Sequence, residues 1–383
     1  MRVLHLLKTA DGASWALRQM RELKALGIDV EVALPGQGSM VEKYRDLAIP
    51  VHFFDCNVGA IRSPVALWQM IQGFRELVAK RKPDVVHSHF VGTSILARIA
   101  LGKQSRPVRV FQVPGPLHLE NLLTRRAEII TAGRPDFWIA SCAMTRDIYL
   151  NSGIENARVG MSFYGTDTGQ FKIGQNGKLR SELKLSPQKK IIGMVAYIYA
   201  PKRWLGQRRG LKGHEDLVDA LALLRNRGRD VTGVFAGGAW GKAEAYAQGV
   251  RQYARKRLGD DAVFLGTRAD VADVYADFDV AVHPSHSENL GGAVESLAAG
   301  IPTVATRVGG LPDIVIDGKT GWLAEPKSPP SLAAAIAQVL DQPAEARRRA
   351  IAGRKLIKEQ LDVRATARQV FDYYQRYLSV VPP

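Results

Sequence analysis

The chain has 383 residues, of which 46% are hydrophobic and 23% charged, and its formal net charge is +16. This composition excludes a disordered chain, and the length predicts about two or three globular domains. The two cysteines, Cys56 and Cys142, are too few and too far apart for a disulfide framework or a zinc site, which favours a reducing, cytoplasmic location. No apolar run has the length of a transmembrane helix.

The excess of basic residues suits three kinds of partner, namely nucleic acid, an anionic membrane surface or a phosphate-rich substrate. Basic side chains scattered over a solvated surface would give the same net charge. Nucleic acid is the least favoured partner, because the basic residues do not interleave with aromatic residues on a recognisable module. The densest basic cluster comprises Lys202, Arg203, Arg208, Arg209 and Lys212, with Trp204 among them.

Short apolar runs alternate with amphipathic helical stretches through the first part of the chain. Strands are predicted at residues 3–7, 28–34, 84–90, 108–112 and 137–140. Helices are predicted at residues 14–26 and 93–101, and from an N-cap at Ser141 to residue 150.

Residues 172–190 interrupt this alternation with a polar, basic stretch that predicts a linker containing one short helix. The alternation then resumes. Strands are predicted at residues 191–196, 231–236, 262–265, 280–283 and 303–305. Helices are predicted at residues 215–225, 242–257, 292–299, 331–340, 344–359 and 363–378.

Strands and helices in alternation predict an α/β fold with parallel sheets covered by helices on both faces. Two such series predict two doubly wound Rossmann-like domains facing each other across a cleft. The predicted boundaries are 1–171 for the first domain, 172–190 for the linker and 191–362 for the second domain, with helix 363–380 packing back on the first. Ligands of such sheets bind at the carboxyl ends of the strands, which would place the site in the cleft.

Three places in the first domain are candidates for substrate binding. Gly12 and Ala13, after the first strand, would let an anion approach the next helix's N-terminus, although an ordinary turn would look the same. His87 and His89 point to one face of a strand and would donate to a sugar or phosphate, with a metal site or a structural role as alternatives. His118 lies in a proline-rich loop that either binds a ligand or is simply a rigid connection.

Two places in the second domain carry more chemistry. Lys212 at a helix start would neutralise a diphosphate, although a capped helix start with acidic residues would look similar. Glu288 and Glu295 flank a small-residue helix start, where Gly291 and Gly292 would expose backbone N–H groups to a phosphate or sugar oxygen. A carboxylate accepts hydrogen bonds from two vicinal hydroxyl groups at once, so the two glutamates would hold a nucleotide sugar at its ribose and its hexose.

Residues 285–291 (Ser-His-Ser-Glu-Asn-Leu-Gly) and 295–303 (Glu-Ser-Leu-Ala-Ala-Gly-Ile-Pro-Thr) resemble the donor-site signature of the retaining glycosyltransferases of the two-Rossmann-domain (GT-B) type, specifically family four. The resemblance covers nearly the whole chain. It continues in Lys212-Gly213, the family's diphosphate lysine, and in residues 84–89, 165–171, 309–313 and 317–323.

The resemblance implies a role for each candidate residue. Glu295 would bind the ribose hydroxyls, Glu288 would face the donor sugar, and Lys212 would hold the diphosphate. On this basis the catalytic residues are Glu288, His89 and Lys212. The donor-binding residues are Glu295, Asn289, Leu290, Gly291, Gly292, Lys212, Lys202, Arg203 and Arg268, and the acceptor-side residues are Gly12, Ala13, His87 and His118.

Two departures from the family pattern affect these assignments. The spacing between the two glutamates is one residue shorter than usual, so that counting back from Glu295 reaches Ser287, whereas a shortening within 291–294 restores Glu288. The family's Gly-Arg after the first strand of the second domain is replaced by Ala196-Tyr197 and a basic insertion, residues 198–211. Basic residues of the insertion would replace the family's phosphate-binding arginine, or would touch an anionic membrane or acceptor.

The sequence therefore predicts a retaining, metal-independent glycosyltransferase without a cofactor. It would move a hexose-type sugar from a UDP- or GDP-linked donor to a saccharide or lipid-linked acceptor in cell-envelope polysaccharide or glycolipid synthesis. Such an enzyme would be cytoplasmic, and at the inner face of the membrane if the insertion binds anionic lipid. The alternatives are a glycosidic-bond phosphorylase on the same fold and a non-catalytic basic protein that binds nucleic acid or membrane.

Overall fold

The computed structural model describes residues 1–56, 63–103, 106–171, 174, 176–203 and 206–381. The chain divides into two compact units, Met1–Thr166 with Leu361–Pro383, and Asp167–Gln360. One unit contains a seven-stranded sheet and the other a six-stranded sheet. All strand pairs within the two sheets are parallel, and helices connect the strands, which confirms the predicted fold class of two doubly wound sheets.

The first unit is built around the strand order β3-β2-β1-β4-β5-β6-β7. Its strands are β1 (Arg2–Leu6), β2 (Asp29–Leu34), β3 (Val51–Phe53), β4 (Val85–Ser88), β5 (Val108–Gln112), β6 (Asp136–Ala140) and β7 (Val159–Met161). Its helices up to this point are α1 (Ser14–Ala25), α2 (Val41–Asp46), α3 (Pro64–Arg81), α4 (Val91–Leu101), α5 (Leu117–Glu120), α6 (Leu122–Ile130) and α7 (Ala143–Asn151). Every residue of β4, β5 and β6 is buried, as expected for strands covered on both faces.

The second unit has the strand order β10-β9-β8-β11-β12-β13. Its strands are β8 (Lys190–Val195), β9 (Val231–Ala236), β10 (Ala262–Gly266), β11 (Val280–His283), β12 (Thr303–Thr306) and β13 (Trp322–Ala324). Its helices are α8 (Lys178–Glu182), α9 (His214–Asn226), α10 (Glu244–Leu258), α11 (Val271–Ala276), α12 (Ala293–Ala298), α13 (Leu311–Ile314), α14 (Pro329–Asp341) and α15 (Pro343–Gln360). Strand order reverses beside β8, and such a switch point is where doubly wound sheets bind ligands.

The last helix, α16 (Val363–Val380), belongs to the first unit. Its Val370, Tyr374 and Tyr377 are buried in one cluster with residues of β1, β2 and α1. The Tyr373 hydroxyl accepts a hydrogen bond of 3.0 Å from the amide of Met161 at the edge strand β7. The end of the chain therefore completes the core of the unit that the start of the chain begins.

The second unit begins at Asp167, so residues 167–171 and the segment predicted as a linker, 172–190, are assigned to it. Helix α8 is attached to this unit because the Asp277 carboxylate accepts hydrogen bonds from the amides of Gly177 and Arg180, at 2.8 and 3.0 Å. Leu361 and Asp362, predicted in the second domain, belong to the first unit.

The predicted N-cap of helix α7 is wrong by one residue. Cys142 occupies the cap position, where its amide donates to the Thr145 hydroxyl at 3.3 Å. Ser141 instead donates its hydroxyl hydrogen to the carbonyl oxygen of Val113.

Among the described residues, no helix combines the length and apolar character that crossing a membrane requires.

Candidate active site

A cavity of about 280 Å³ opens at the carboxyl ends of β8, β9, β10 and β11 in the second unit. These strands lie on both sides of the switch point, so the fold places the cavity where the sheet topology predicts a ligand. The cavity is lined by Met194, Val195, Ala196, Tyr197, Tyr199, Lys212, Ala236, Gly237, Thr267, Arg268, Val271, His283, Ser285, Glu288, Gly291, Gly292 and Glu295.

An ion pair between Lys212 and Glu288 occupies the part of the cavity between β8 and β11. The Glu288 carboxylate also accepts hydrogen bonds from the Ser285 hydroxyl at 3.3 Å and from its neighbour's amide, Asn289 N, at 3.1 Å. Burial by itself would lower the pKa of Lys212, but the charge of Glu288 and the hydrogen bond to it raise the pKa overall. Lys212 is therefore a fixed cation whose present partner is a carboxylate that an anionic ligand would have to displace.

Glu288, and not Ser287, faces this cavity. Ser287 is only 5% exposed and does not line the cavity. The chain between the two glutamates turns through Gly291, whose φ is +51° and where an added Cβ would lie 2.8 Å from the Glu288 carboxyl carbon. Glycine here lets the shortened loop turn beside Glu288 without pushing its side chain away.

The loop before α9 is fixed against the loop after β11. Gly213, the N-cap of α9, has φ +74°, and a Cβ added there would lie 2.0 Å from the carbonyl oxygen of Pro284. The amide of His286 donates to the carbonyl oxygen of Leu211 at 2.8 Å. Because Lys212 lies between Leu211 and Gly213, these contacts hold its side chain opposite Glu288.

The second glutamate, Glu295, is half-buried in the first turn of α12 and lines the cavity. Burial raises the pKa of the neighbouring Tyr275, and the Glu295 charge raises it further. Burial also lowers the pKa of His283 to about 3, so this cavity-lining imidazole is neutral at physiological pH. Its Nε2 lies 3.0 Å from the Ser296 hydroxyl oxygen.

Arg268 lines the cavity after β10, at the end away from β11. Its guanidinium is bound by the carboxylates of Asp270 and Glu182, at 2.7 and 2.8 Å. Hydrogen bonds to these two partners raise the pKa of Arg268. Arg268 therefore reaches the cavity while two carboxylates already neutralise its charge.

Two basic residues of the insertion, which were predicted to bind the donor, lie away from the cavity. Lys202 and Arg203 are exposed and do not line the cavity. Before them, the backbone of Ile198 pairs with Ala239 and continues the pairing of β8 with β9. Arg209 is bound to Asp216 and Asp219, at 2.5 and 2.8 Å. Trp204 lies outside the described residues.

One of the backbone amides that the resemblance assigns to donor binding already makes another hydrogen bond. Asn289 N already donates to Glu288, and the Leu290 side chain is 3% exposed and does not line the cavity. Gly291 and Gly292 are lining residues.

In the first unit, His87 and His89 are both 0% exposed, which differs from the expectation that they line an open site. His87 is hydrogen-bonded to the Tyr374 hydroxyl, and His89 Nδ1 lies 2.9 Å from the Tyr164 hydroxyl. These partners give the two imidazoles a structural role in the core. The rings of Trp15 and Tyr164 also pack beside His89, with centroids 5.5 and 5.9 Å from its own.

A third imidazole, His5 on β1, completes this cluster. The Tyr164 hydroxyl donates to the carbonyl oxygen of Gln112 at 3.1 Å, so its oxygen accepts from Nδ1–H of His89. The Nε2 of His89 then accepts from Nδ1–H of His5 at 2.9 Å. One nitrogen from each of His5, His87 and His89 lies within 4.8 Å of the other two. Burial lowers the pKa of all three, that of His5 to about 3.

The other first-unit candidates lie at two loop ends. Gly12 and Ala13 are half-buried before α1 and both have left-handed φ values, +70° and +56°. His118 is half-buried in α5, and burial lowers its pKa to about 4.

Sequence reasoning missed several cavity residues. His283, at the end of the predicted strand 280–283, carries no role predicted from the sequence, and neither do Tyr199 and Thr267, although all three line the cavity. The alternation Tyr197-Ile198-Tyr199 directly after a strand was the available signal, since residues two apart in an extended chain share a face.

Two family models match the chain. "Glycosyl transferase 4-like domain" matches residues 12–161, and "Glycosyl transferases group 1" matches residues 204–356. The D-inositol 3-phosphate glycosyltransferase of Acidothermus cellulolyticus is 27% identical over 84% of this chain and 76% of its own length. The protein of the same name from Segniliparus rotundus is 33% identical, over 49% of this chain and 40% of its own length.

Among solved structures, Anabaena HepE in complex with UDP and glucose superimposes with a TM-score of 0.80 at 21% identity, covering 97% of this chain and 98% of that one. At this identity the likeness concerns the fold. The two family models, which together span most of both units, complete the assignment. The chain belongs to the glycosyltransferases of family four, with the two-Rossmann-domain (GT-B) fold.

Proposed function

We propose that this glycosyltransferase moves a hexose-type sugar from a UDP- or GDP-linked donor to a hydroxyl group of a saccharide or lipid-linked acceptor. The observation that carries the proposal is the convergence of Lys212, Glu288 and Glu295 on one cavity at the switch point of the second sheet. The complex of HepE with UDP and glucose supports it, because that protein shares the fold.

In the proposed complex the donor lies along the carboxyl ends of the strands. The Glu295 carboxylate accepts hydrogen bonds from the two ribose hydroxyls, and the base extends toward Arg268. Lys212 turns from Glu288 to the diphosphate. Glu288, released from the ion pair, accepts hydrogen bonds from hydroxyls of the donor sugar.

The proposed reaction breaks the bond between the anomeric carbon and the diphosphate oxygen and forms a bond from that carbon to the acceptor oxygen. Negative charge grows on the departing phosphate, where a fixed ammonium group stabilises the transition state most. The departing phosphate oxygen takes the acceptor proton on the same face of the sugar, which retains the anomeric configuration. Lys212 supplies the positive charge, so the proposed mechanism is independent of metal.

The proposal for the acceptor rests on a different part of the surface. Lys202, Arg203 and Arg208 are exposed beside the donor-binding unit's cavity loops, where they would attract a phosphate-bearing acceptor or an anionic lipid surface. This favours a lipid-linked or cell-envelope saccharide. Inositol 3-phosphate, named for two of the relatives, is a second phosphate-bearing compound to test.

The donor proposal is tested by thermal unfolding with millimolar UDP, GDP, ADP or TDP, and separately with inorganic phosphate. A ligand at one hundred times its dissociation constant stabilises the fold by about 2.7 kcal/mol. One nucleoside diphosphate should raise the unfolding temperature of the wild type and of the control Glu244→Ala, but not that of Glu295→Ala. A response to phosphate alone would favour the phosphorylase, and no response to any nucleotide would contradict the proposal.

The stereochemical part needs a separate measurement. Once the nucleotide is known, its hexose conjugates are screened by nucleotide release with candidate acceptors. Proton NMR of the product then reads the anomeric configuration from the coupling constant. An α-linked donor should give an α-linked product, and a β-linked product would rule out retention.

A further inference from the structure

The chain departs from its family at Ala196-Tyr197, and the structure there forms a short paired ribbon. The amide of Ile198 donates to the carbonyl oxygen of Gly238 at 2.9 Å, and the amide of Trp240 donates to the carbonyl oxygen of Ile198 at 3.0 Å. These bonds extend the pairing of β8 with β9 beyond the ends of both strands. The positions that follow are therefore held as rigidly as a sheet edge.

Side chains on this ribbon alternate between two faces. Ile198 is 1% exposed and is buried against Ala247 and Val250 of α10. Tyr197 and Tyr199, one residue to either side, consequently project to the opposite face, where both line the cavity. One buried isoleucine thus fixes the direction of two tyrosines.

The two tyrosines and Trp240 form a cluster of neighbouring rings, which we term the aromatic platform. The Trp240 ring is tilted by 58° to that of Tyr197 and by 34° to that of Tyr199. The ring centroid of Trp240 lies 5.1 Å from that of Tyr197 and 5.7 Å from that of Tyr199. Tyr197 is 39% and Trp240 is 40% exposed. Tyr197 and Trp240 are therefore partly open to solvent, and the two tyrosines belong to the wall of the cavity.

The platform borders the end of the cavity that holds the ion pair. The Lys212 ammonium lies 5.8 Å from the Tyr199 ring centroid, within the range of a cation–π contact. Arg268 and Thr267 line the cavity after β10, which is separated from β8 by β9. A ligand part next to Tyr199 is therefore next to the diphosphate position, whereas Trp240 follows β9, which lies between β8 and β10.

We propose that the aromatic platform binds the apolar face of a pyranose ring. A pyranose presents C–H groups on its faces and hydroxyls around its edge, and the electron-rich face of an aromatic ring attracts such C–H groups. Lys212 and Glu288 at the border would bind the phosphate and hydroxyl groups of the same ligand. This inference rests on the proposed function and adds to it a saccharide-binding surface where the family's Gly-Arg is missing.

The pyranose comes from one of two sources, the donor sugar or the acceptor saccharide. Saturation-transfer NMR with UDP-glucose, and with methyl α-D-glucopyranoside added to UDP-loaded protein, distinguishes them by showing which sugar protons contact the protein. Isothermal titration with UDP and with UDP-glucose gives the affinities. GDP and GDP-mannose replace these probes if the thermal screen selects GDP.

The variants are Trp240→Ala, Tyr197→Ala and the ring-preserving Trp240→Phe. Trp68→Ala on α3 is the matched control, since Trp68 is an exposed tryptophan of the first unit. We expect Trp240→Ala and Tyr197→Ala to weaken sugar binding about tenfold, the order expected for one aromatic contact. UDP affinity should stay within about twofold, and Trp240→Phe should restore most of the loss.

Each outcome decides the inference. Loss of UDP-glucose affinity and of glucose-proton saturation identifies the donor sugar, whereas loss confined to the methyl glucoside identifies the acceptor. An equal loss for UDP and UDP-glucose would show stacking on the base and overturn the inference, as would unchanged sugar binding in both alanine variants. If the wild type binds no nucleotide sugar, the proposed function itself fails, which separates the two failures.

Discussion

The two units place polar side chains at the carboxyl ends of their central strands in opposite environments. In the first unit, His5, His87 and His89 are fully buried and neutral. His87 and His89 are hydrogen-bonded to tyrosines, and His5 is hydrogen-bonded to His89. In the second, Lys212 and Glu288 are partly exposed and paired as ions in an open cavity. The same sheet topology thus supports a closed polar core in one unit and exchangeable charges in the other, so only the second cluster is ready to exchange partners with a ligand.

The largest effect should come from removing the cavity cation. Lys212→Ala should lower the rate of sugar transfer by about 10³, because a fixed charge on the departing group contributes roughly 3–4 kcal/mol to transition-state stabilisation. Nucleotide release with the identified donor measures the rate. Lys256→Ala, an exposed lysine of α10 in the same unit, should keep the wild-type rate. A Lys212→Ala variant within tenfold of the wild type would show that the ion pair is merely structural.

Next in size is the backbone that positions the ion pair. Gly213 and Gly228 flank α9 with similar φ values, +74° and +78°, but only Gly213 faces a neighbouring atom, the Pro284 oxygen. Gly228→Ala should cost about 1 kcal/mol of unfolding free energy from the left-handed conformation alone. Gly213→Ala should cost about 3 kcal/mol, because the clash is added to the same strain. Urea unfolding measures both, and equal costs would contradict the close approach.

The closed cluster of the first unit should give a smaller, pH-dependent effect. Burial lowers the pKa of His5 to about 3, whereas in the unfolded chain an imidazole titrates near 6.5. Below pH 6.5 the unfolded chain therefore binds more protons, and the stability present above that pH is lost progressively down to the folded pKa. Between pH 7 and pH 5 this residue accounts for about 2 kcal/mol.

His5→Gln should remove the contribution of His5 to the pH dependence of the unfolding free energy while leaving the other buried histidines in place. The unfolding free energy of the variant should consequently fall about 2 kcal/mol less than that of the wild type between pH 7 and pH 5. Urea unfolding at both pH values measures the difference. Parallel losses in the two proteins would mean that His5 takes up its proton without unfolding.

The sequence predicted the central strands of both sheets and the edge strand β10, but it missed the three other edge strands. Strands such as β8 and β9 are largely apolar runs of six residues and were predicted, whereas β3, β7 and β13 each have only three residues and carry little pattern of their own. They form because a neighbouring strand offers hydrogen bonds, which is a tertiary effect. Helix α3 was not predicted either, although it has 18 residues. Phe74 is its only fully buried residue, so the helix shows little hydrophobic periodicity.

The candidate site shows the same limit. Local sequence motifs identified Lys212, Glu288 and Glu295, all of which line the cavity. Lys202 and Arg203 were predicted to replace the family's phosphate-binding arginine, whereas in the structure both are exposed and neither lines the cavity. Tyr199 was missed because its orientation follows from the burial of Ile198 against α10, which no local motif records.

The smallest effect separates two arginines within the basic insertion. Arg209 is bound to Asp216, whose carboxylate is 5% exposed and also contacts His286 Nε2 at 2.5 Å, whereas Arg203 is exposed. Arg209→Ala should lower the unfolding free energy by about 1 kcal/mol, a value reduced by the partial exposure of the guanidinium. Arg203→Ala should leave it unchanged. If urea unfolding gave the two variants equal stability, the salt bridges of Arg209 would not anchor the insertion. Arg209 could then take the place of the phosphate-binding arginine that the family has and this chain lacks.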